Sequence, residues 1–409
     1  MYLLNEEIIL DIIDLDDMGQ GVAKINEFVF FVEGALPNEQ VKAKITKVKK
    51  NIIFADTIEV LKKSDNRVSV CPYQKLCGGC ALINLTYDKQ ADYKQTKVKK
   101  IMNKFLKEDV LVKDIITNDN NYNYRNKVSF HCDKELGFYK NKTNKVIPID
   151  ECKLASNGIN KLYKLFKDNV DYKNIVNLII RYSDITLESM LIIEGEVNDS
   201  DIDKIKDYFT TIIINNDVYS GKGYIIDKLN DYSFIISPDS FFQVNTNQAV
   251  KLYDKALEYA HLTGNERVLD LYCGTGSIGI YVSSMAREVV GIEKNHSAIQ
   301  DANRNASINN IKNISFIEGD TKYAVEKIDT NFDVIIVDPP RSGLFPNIID
   351  FIEKVNPKYL VYVSCDPVTL ARDLNLLKDS FNIDEITPVD MFSNTYHVEN
   401  VCALSRKRK

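Results

Sequence analysis

The apolar run VYVSCDP (Val361–Pro367) closes on a cysteine, an aspartate and a proline. A free cysteine usually packs as a small hydrophobe. Here the pattern places Cys365 at the end of a strand, with Asp366 as cap of the following helix and Pro367 in its first turn. A thiol beside a helix amino terminus is a better thiolate, whereas nearby carboxylates oppose that shift. Such a thiolate adds covalently to an electron-poor carbon and divides one hard step into easier ones. Removal of a proton must follow, and Glu399 in MFSNTYHVENV is the candidate base, with His397 as its rival.

A second constellation lies upstream. ERVLDLYCGTGSIGI sets Gly274, Gly276 and Gly279 in G-x-G-x-x-G spacing, after a strand and at the start of a helix. Such glycines let a nucleotide approach the backbone, and Glu293, ending the next strand, can bond a ribose hydroxyl. Asp270 precedes the glycines, Asp320 ends the third strand in IEGD, and Asp338 ends the fourth in VDPPRSG. Four acids along one sheet edge would repel a pyrophosphate and attract a sulfonium with an ammonium group. The expected cofactor is therefore S-adenosyl-L-methionine rather than a dinucleotide.

The reaction is narrowed by Arg341 after the two prolines. Enzymes methylating exocyclic amines usually carry an aromatic there, and RNA cytosine-C5 methyltransferases carry a cysteine there besides one on the next strand. This chain has only the second, Cys365. One cysteine suits uracil C5: addition to C6 makes an enolate whose C5 can attack a sulfonium methyl.

CPYQKLCGGC places Cys71, Cys77 and Cys80 in C-x5-C-x2-C spacing, with Cys152 in IDECKLAS as a fourth thiol. Gly78 and Gly79 free the backbone to fold around a cluster, and four thiolates suit zinc and an iron–sulfur cluster equally. Cys132, Cys273 and Cys402 show no pattern and are expected to be structural. YNYRNKVSF mixes aromatics with Arg125 and Lys127, a combination suited to unpaired bases and phosphates and equally to an ordinary strand.

The elements that must position these residues follow from the patterning. A chain of 409 residues predicts two or three domains, and 44% hydrophobic with 27% charged residues is a globular composition. Residues 1–60 read as short strands of a small oligonucleotide-binding-type β-barrel. Residues 61–240 read as a central domain of mixed strands and helices. From 241 to 409 a βα rhythm predicts a parallel sheet covered on both faces: helix 246–261, strand 267–272, helix 276–286, strand 288–293, helix 296–309, strand 313–318, strand 333–337, helix 347–355, strand 358–364 and helix 367–379. The fold class is multidomain α/β. No apolar run approaches the roughly 18 residues that span a bilayer, so no membrane partner is expected. An acidic amino terminus and cysteines with no secretory context predict a cytoplasmic protein. Net charge is −6, yet Lys42–Lys50 holds five lysines, Lys94–Lys107 holds six, neither with an acid, and the chain ends RKRK. Such patches suit a polyanion contacted locally.

DLYCGTGSIG, VDPPRSG, VSCDP and FSNTYHVENV together resemble the RNA uracil-5-methyltransferases that make 5-methyluridine. The resemblance covers essentially the whole chain. It implies Cys365 as nucleophile, Glu399 as base, and Gln243 (in SFFQVN), Tyr272, Glu293 and Asp338 as cofactor contacts, beside Gly274 and Gly276; Asp320 is added from its position alone. It implies a [4Fe-4S] cluster on Cys71, Cys77, Cys80 and Cys152, since members acting on ribosomal RNA carry these four cysteines and shorter transfer-RNA members lack them. It also implies a TRAM-type amino-terminal barrel and, through the cysteines, 23S large-subunit ribosomal RNA as substrate. Because the uracil must reach the sheet edge, an unpaired or flipped uridine is expected, and the expected state is a monomer. The alternatives are the same chemistry on transfer RNA, an NAD-linked iron–sulfur oxidoreductase, and a non-catalytic RNA-binding protein.

Overall fold

Four runs of apolar residues, Val268–Leu271, Val289–Ile292, Val334–Val337 and Leu360–Val363, are buried almost throughout, Asp270 and Gly291 being their only non-apolar members. Strands hydrophobic on both faces must be covered on both faces, as in a parallel sheet between helix layers. The computed structural model, which describes residues 2–107 and 109–407, places them at the centre of a seven-stranded sheet. Its strands are β1 (Arg267–Leu271), β2 (Glu288–Glu293), β3 (Ile314–Glu318), β4 (Val334–Val337), β5 (Tyr359–Ser364), β6 (Phe381–Val389) and β7 (Glu399–Arg406), in the order β3-β2-β1-β4-β5-β7-β6. Neighbours among β1 to β5 run parallel. The chain order reverses between β1 and β4, the point at which open α/β sheets bind ligands.

The expectation of a parallel sheet fails at one strand. β7 is antiparallel to both β5 and β6. Crossover helices join the preceding strands, whereas the irregular stretch Asp390–Val398 turns the chain back after β6. β7 therefore enters between β5 and β6 from the ligand-binding edge.

The chain clusters into two compact units, where three segments are expected from the sequence. The first comprises residues 1–97, 139–147 and 392–397, and the second comprises 98–138, 148–391 and 398–409. In the second, Val98, Ile101, Met102, Leu106 and Val112 share one hydrophobic core with β1, β4 and β5. That shared core keeps much of the expected central segment from being separate. The same unit holds a second sheet, in which Asp217–Gly221, Thr211–Ile214, Ser189–Gly195, Ile175–Tyr182 and Lys127–Asp133 lie side by side.

The first unit begins with six strands between Glu7 and Lys62, around a core of Leu10, Ile12, Phe30, Val32, Val41, Ile45 and Ile53. Alternation decides which side chains enter that core: in Gln40–Lys49, Val41, Ala43 and Ile45 are buried while Lys44 and Thr46 between and beyond them face water, and past Ile45 the strand is exposed on both faces. The lysine run Lys42–Lys50 is thus the outer face and tip of a hairpin. Arg408 and Lys409 of the terminal RKRK lie outside the described residues.

Gly276 shows how tightly the glycine loop seats on the sheet. Its φ is +76°, and a Cβ would stand 2.7 Å from Phe316 Cζ on β3. Gly276→Ala is expected to cost about 1–3 kcal/mol through strain and overpacking, read as a lower denaturant midpoint; an unchanged midpoint would show that the loop yields freely.

Candidate active site

The site is assembled at the carboxyl ends of β1, β2, β4 and β5, where the register decides what meets what. β5 and β7 pair Ser364 with Asn400. One step further, an antiparallel register sets residue 365 opposite residue 399. Cys365 and Glu399 thus occupy facing positions at the sheet rim, and their electrostatic coupling agrees. Asp366 accepts from Val368 N at 2.8 Å and Thr369 N at 3.1 Å, and Pro367 opens the helix Pro367–Leu377, as expected.

The helix terminus does not win the contest for the thiol. Cys365 is half-buried, and its pKa is pushed up to about 12, first by burial, then by the charges of Glu399 and Asp338. Arg341 pulls the other way. Glu399 is 6% exposed and rises to about 8, through burial and then Asp338, again opposed by Arg341. Asp338 rises to about 7 through burial alone. Arg341 is thus the cation facing both reactive groups, and the sequence reading had used it only to identify the reaction.

Asp270 is fully buried within β1. Gly279 N donates to its Oδ2 at 2.9 Å, while Oδ1 has no hydrogen-bond partner among the described residues. Its pKa rises to about 8, through burial first and the charge of Asp338 next. Tyr272 follows β1 with φ +65°, and its buried hydroxyl likewise has no partner there. Glu293 accepts from Gly274 N at 3.3 Å and from Asn295 N at 2.8 Å, joining the glycine loop to the turn after β2. Gly274 has φ +54°, and nothing lies within 4 Å of where its Cβ would be. An orphaned carboxylate oxygen, an orphaned hydroxyl and open space above a glycine fit a ligand bearing cationic and donor groups. Asp320 is different: it is exposed and caps the helix Thr321–Ala324 by accepting from Lys322 N at 3.0 Å.

Gln243 reaches the same region on the stretch Ser237–Asn245, which is pinned from three sides. Asp301 accepts from Ser237 N at 3.0 Å, Ser237 Oγ at 2.8 Å and Ser240 Oγ at 2.6 Å. Arg181 donates to Ser240 O at 2.6 Å. Asn126 Nδ2 donates to Gln243 O at 3.0 Å. The Gln243 side chain bonds the Tyr253 hydroxyl, which also meets Ser277 Oγ at 2.9 Å. Asp301, Asn126 and Tyr253 escaped the sequence reading because each acts through another residue and sits in no motif. Of the basic pair, Arg125 bridges Ala155, whereas Lys127 lies opposite Arg181.

The remaining cysteines divide. Cys273 and Cys402 are buried thiols with pKa values raised by burial, as a structural role requires. Cys132 is half-buried and its Sγ donates to Tyr172 O at 3.2 Å. Cys71, Cys77 and Cys80 are half-buried in the first unit, and Gly79 N donates to Cys77 Sγ at 3.4 Å. Gly78 is required by a close approach: its Cβ would meet Asn141 Oδ1 at 3.0 Å and Asn141 Cα at 3.2 Å. Cys152 belongs to the second unit. Among the described residues, no group of three or more His, Cys, Asp or Glu side chains is close enough to hold a metal ion. His397, the rival base, falls in the first unit, its ring 4.2 Å from that of Tyr396.

Comparisons with known proteins identify the family. The family model described as tRNA (uracil-5-)-methyltransferase matches residues 205–407, and the TRAM domain model matches residues 4–58. A DNA methylase model matches residues 56–304, stopping short of Asp338, Cys365 and Glu399. An uncharacterized RNA methyltransferase of Clostridium tetani is 35% identical, over 95% of this chain and 94% of its own. One from Caldanaerobacter subterraneus is 36% identical, over 98% and 99%. Among solved structures, a Pyrococcus abyssi tRNA (uracil-54, C5)-methyltransferase in complex with S-adenosyl-L-homocysteine superposes with a TM-score of 0.81 at 30% identity, over 97% of this chain and 99% of that one.

The buried acids generate a pH prediction. Asp270, Asp338 and Glu399 titrate near 7–8 in the folded protein and near 4 when unfolded. The folded state keeps protons that the unfolded state releases, so stability falls as pH rises from about 4 to 8. Each group contributes a slope of up to about 1.4 kcal/mol per pH unit. Urea unfolding of the ligand-free protein across that window should show the decline. Asp338→Asn should flatten it, and a parallel curve for that variant would contradict the assignment.

Proposed function

The chain belongs to the RNA uracil-5-methyltransferase family, and on that footing we propose that it methylates C5 of a uridine by covalent catalysis from Cys365. The observation that carries the reading is the register that sets Cys365 opposite Glu399 beside Asp338. S-adenosyl-L-methionine, the cofactor of the family, supplies an electrophilic methyl on a positively charged sulfur. Asp270, Tyr272, Glu293, Asp338 and Gln243 would hold it, with Gly274 and Gly276 leaving room. Asp320, exposed and engaged as a helix cap, would complete this set at its outer end.

A positive charge entering beside Asp338 offsets the repulsion that keeps the Cys365 proton in place. Arg341 acts in the same direction. The thiolate then adds to uracil C6, and the ring's electron pair becomes available at C5. After C5 is methylated, Glu399 as carboxylate removes the C5 proton, the C5–C6 double bond re-forms and the Cys365 thiolate leaves. The base must be unpaired or flipped to reach the rim.

For the substrate we propose large-subunit ribosomal RNA, supported by the cysteines that the family resemblance associates with that target. The [4Fe-4S] cluster that the same resemblance implies is proposed on the thiols of Cys71, Cys77 and Cys80, where the amide-to-sulfur bond at Cys77 suits a thiolate. No catalytic step runs through it. Transfer RNA is the second reading, favoured by the name of the Pyrococcus abyssi relative, which matches over nearly the whole chain. The protein would act as a monomer in the cytoplasm, a reducing compartment that keeps cysteines available for catalysis and metal ligation.

Incubation with methyl-labelled cofactor and unmodified ribosomal and transfer RNA, followed by mapping of the labelled base, separates these readings. Methylation at any atom other than uracil C5 would refute the chemistry. Cys365→Ala should lower the rate at least about a thousandfold with cofactor binding retained. Glu399→Gln should instead accumulate a protein–RNA adduct that survives denaturing electrophoresis and is absent from the double variant. Cys77→Ala should lose iron and visible absorbance from anaerobically purified protein; colourless, iron-free wild-type protein would remove the cluster.

A further inference from the structure

Lys127 and Arg181 form a cation pair for which the surrounding protein supplies too little negative charge. Lys127 opens the strand Lys127–Asp133, which pairs antiparallel with Ile175–Tyr182 and sets it directly opposite Arg181. Directly opposed residues of such a pair project from one face, and like charges there repel. Arg181 is only 3% exposed. Its Nη2 donates to Ser240 O at 2.6 Å and to Pro238 O at 3.5 Å, while its Nε is buried with no partner among the described residues.

Two carboxylates face this pair. Asp239 acts on both cations, and Asp301 acts on Arg181. Asp301 is shared with a third cation, Arg304, whose Nη1 lies 3.5 Å from its Oδ1, and it also accepts three hydrogen bonds from Ser237 and Ser240. The deficit is visible in Lys127, whose pKa falls to about 8 through burial and then through the Arg181 charge, with Asp239 opposing. A second ammonium or guanidinium held this way is stable only with an anion to share.

The neighbouring loop indicates which anion. Ser240, fixed by Arg181, is followed by Phe241, 67% exposed, and then by Gln243 of the candidate cofactor set. A cation pair with an exposed aromatic beside it suits a nucleotide gripped by phosphate and base. We propose that Lys127 and Arg181 bind a backbone phosphate of the RNA next to the methylated uridine. This rests on the reading of the chain as an RNA methyltransferase. The other oxyanion at hand is the carboxylate of the cofactor, and the test separates the two.

Full-length Lys127→Gln, Lys127→Met and Lys127→Arg are compared with wild type after thermal melts confirm folding. RNA affinity is measured by anisotropy at several salt concentrations, S-adenosyl-L-homocysteine affinity by calorimetry, and kcat and KM by methyl transfer. The Gln and Met variants should bind RNA about three- to tenfold more weakly, with a salt slope reduced by roughly one. KM should rise while kcat and S-adenosyl-L-homocysteine affinity hold, and Lys127→Arg should restore both affinity and slope. Unchanged RNA affinity and slope in both neutral variants would overturn the proposal. So would weaker S-adenosyl-L-homocysteine binding with RNA binding intact, which would assign the anion to the cofactor. If wild type methylates no RNA, the functional reading fails by itself, while the salt slope still reports on the phosphate.

Discussion

One antiparallel pairing governs the chemistry of this protein. Had β7 run parallel to β5, the end of β5 would meet the end of β7, and Glu399, the first residue of β7, would stand at the opposite edge of the sheet. Because it runs antiparallel, the last residue of one strand adjoins the first of the other. Cys365 and Glu399, the proposed nucleophile and base, are thereby placed by the backbone hydrogen bonds of two inner strands. Rigid placement of that kind is what converts two ordinary side chains into a catalytic pair.

The charges around the pair are arranged against the resting protein. Asp270 and Glu399 are buried and Asp338 is half-buried, and the Asp338 charge raises the cost of ionising the other two. Cys365 shares that environment and holds its proton more firmly than a free thiol. A cationic ligand beside these groups acts the other way, since its charge favours every ionised form, the thiolate included, and offsets the repulsion among them. Before such a ligand arrives, the Cys365 thiol keeps its proton.

Much of this was legible in the residues. The helices and strands between 246 and 377 fall within a few residues of their expected bounds, because buried parallel strands read as continuous apolar runs between helical periods. Asp366 and Pro367 announced a helix start by residue type alone. The direction of β7 was not legible, since periodicity reports which face is buried and says nothing of strand polarity. Nor was the state of Cys365: the balance between a helix terminus and three carboxylates depends on depth and distance, neither of which spacing encodes. Arg181 lay outside every motif, and only the register with Lys127 made it visible. The crowding of Gly78 by Asn141, 3.0 Å from where a Cβ would stand, was likewise invisible in the cysteine spacing.

The order of strands carries a consequence for biosynthesis. β7 follows β6 in the chain yet lies inside it in the sheet, so a nascent polypeptide that has emerged as far as residue 398 has β5 and β6 with no strand between them. Until the final stretch leaves the ribosome, the flank of β5 is an unpaired hydrogen-bonding edge, the kind of surface that recruits chaperones or neighbouring chains. The residues 392–397 that complete the first unit arrive only moments earlier. Translation that stalls late would therefore yield an inert, aggregation-prone fragment, never a partly active enzyme.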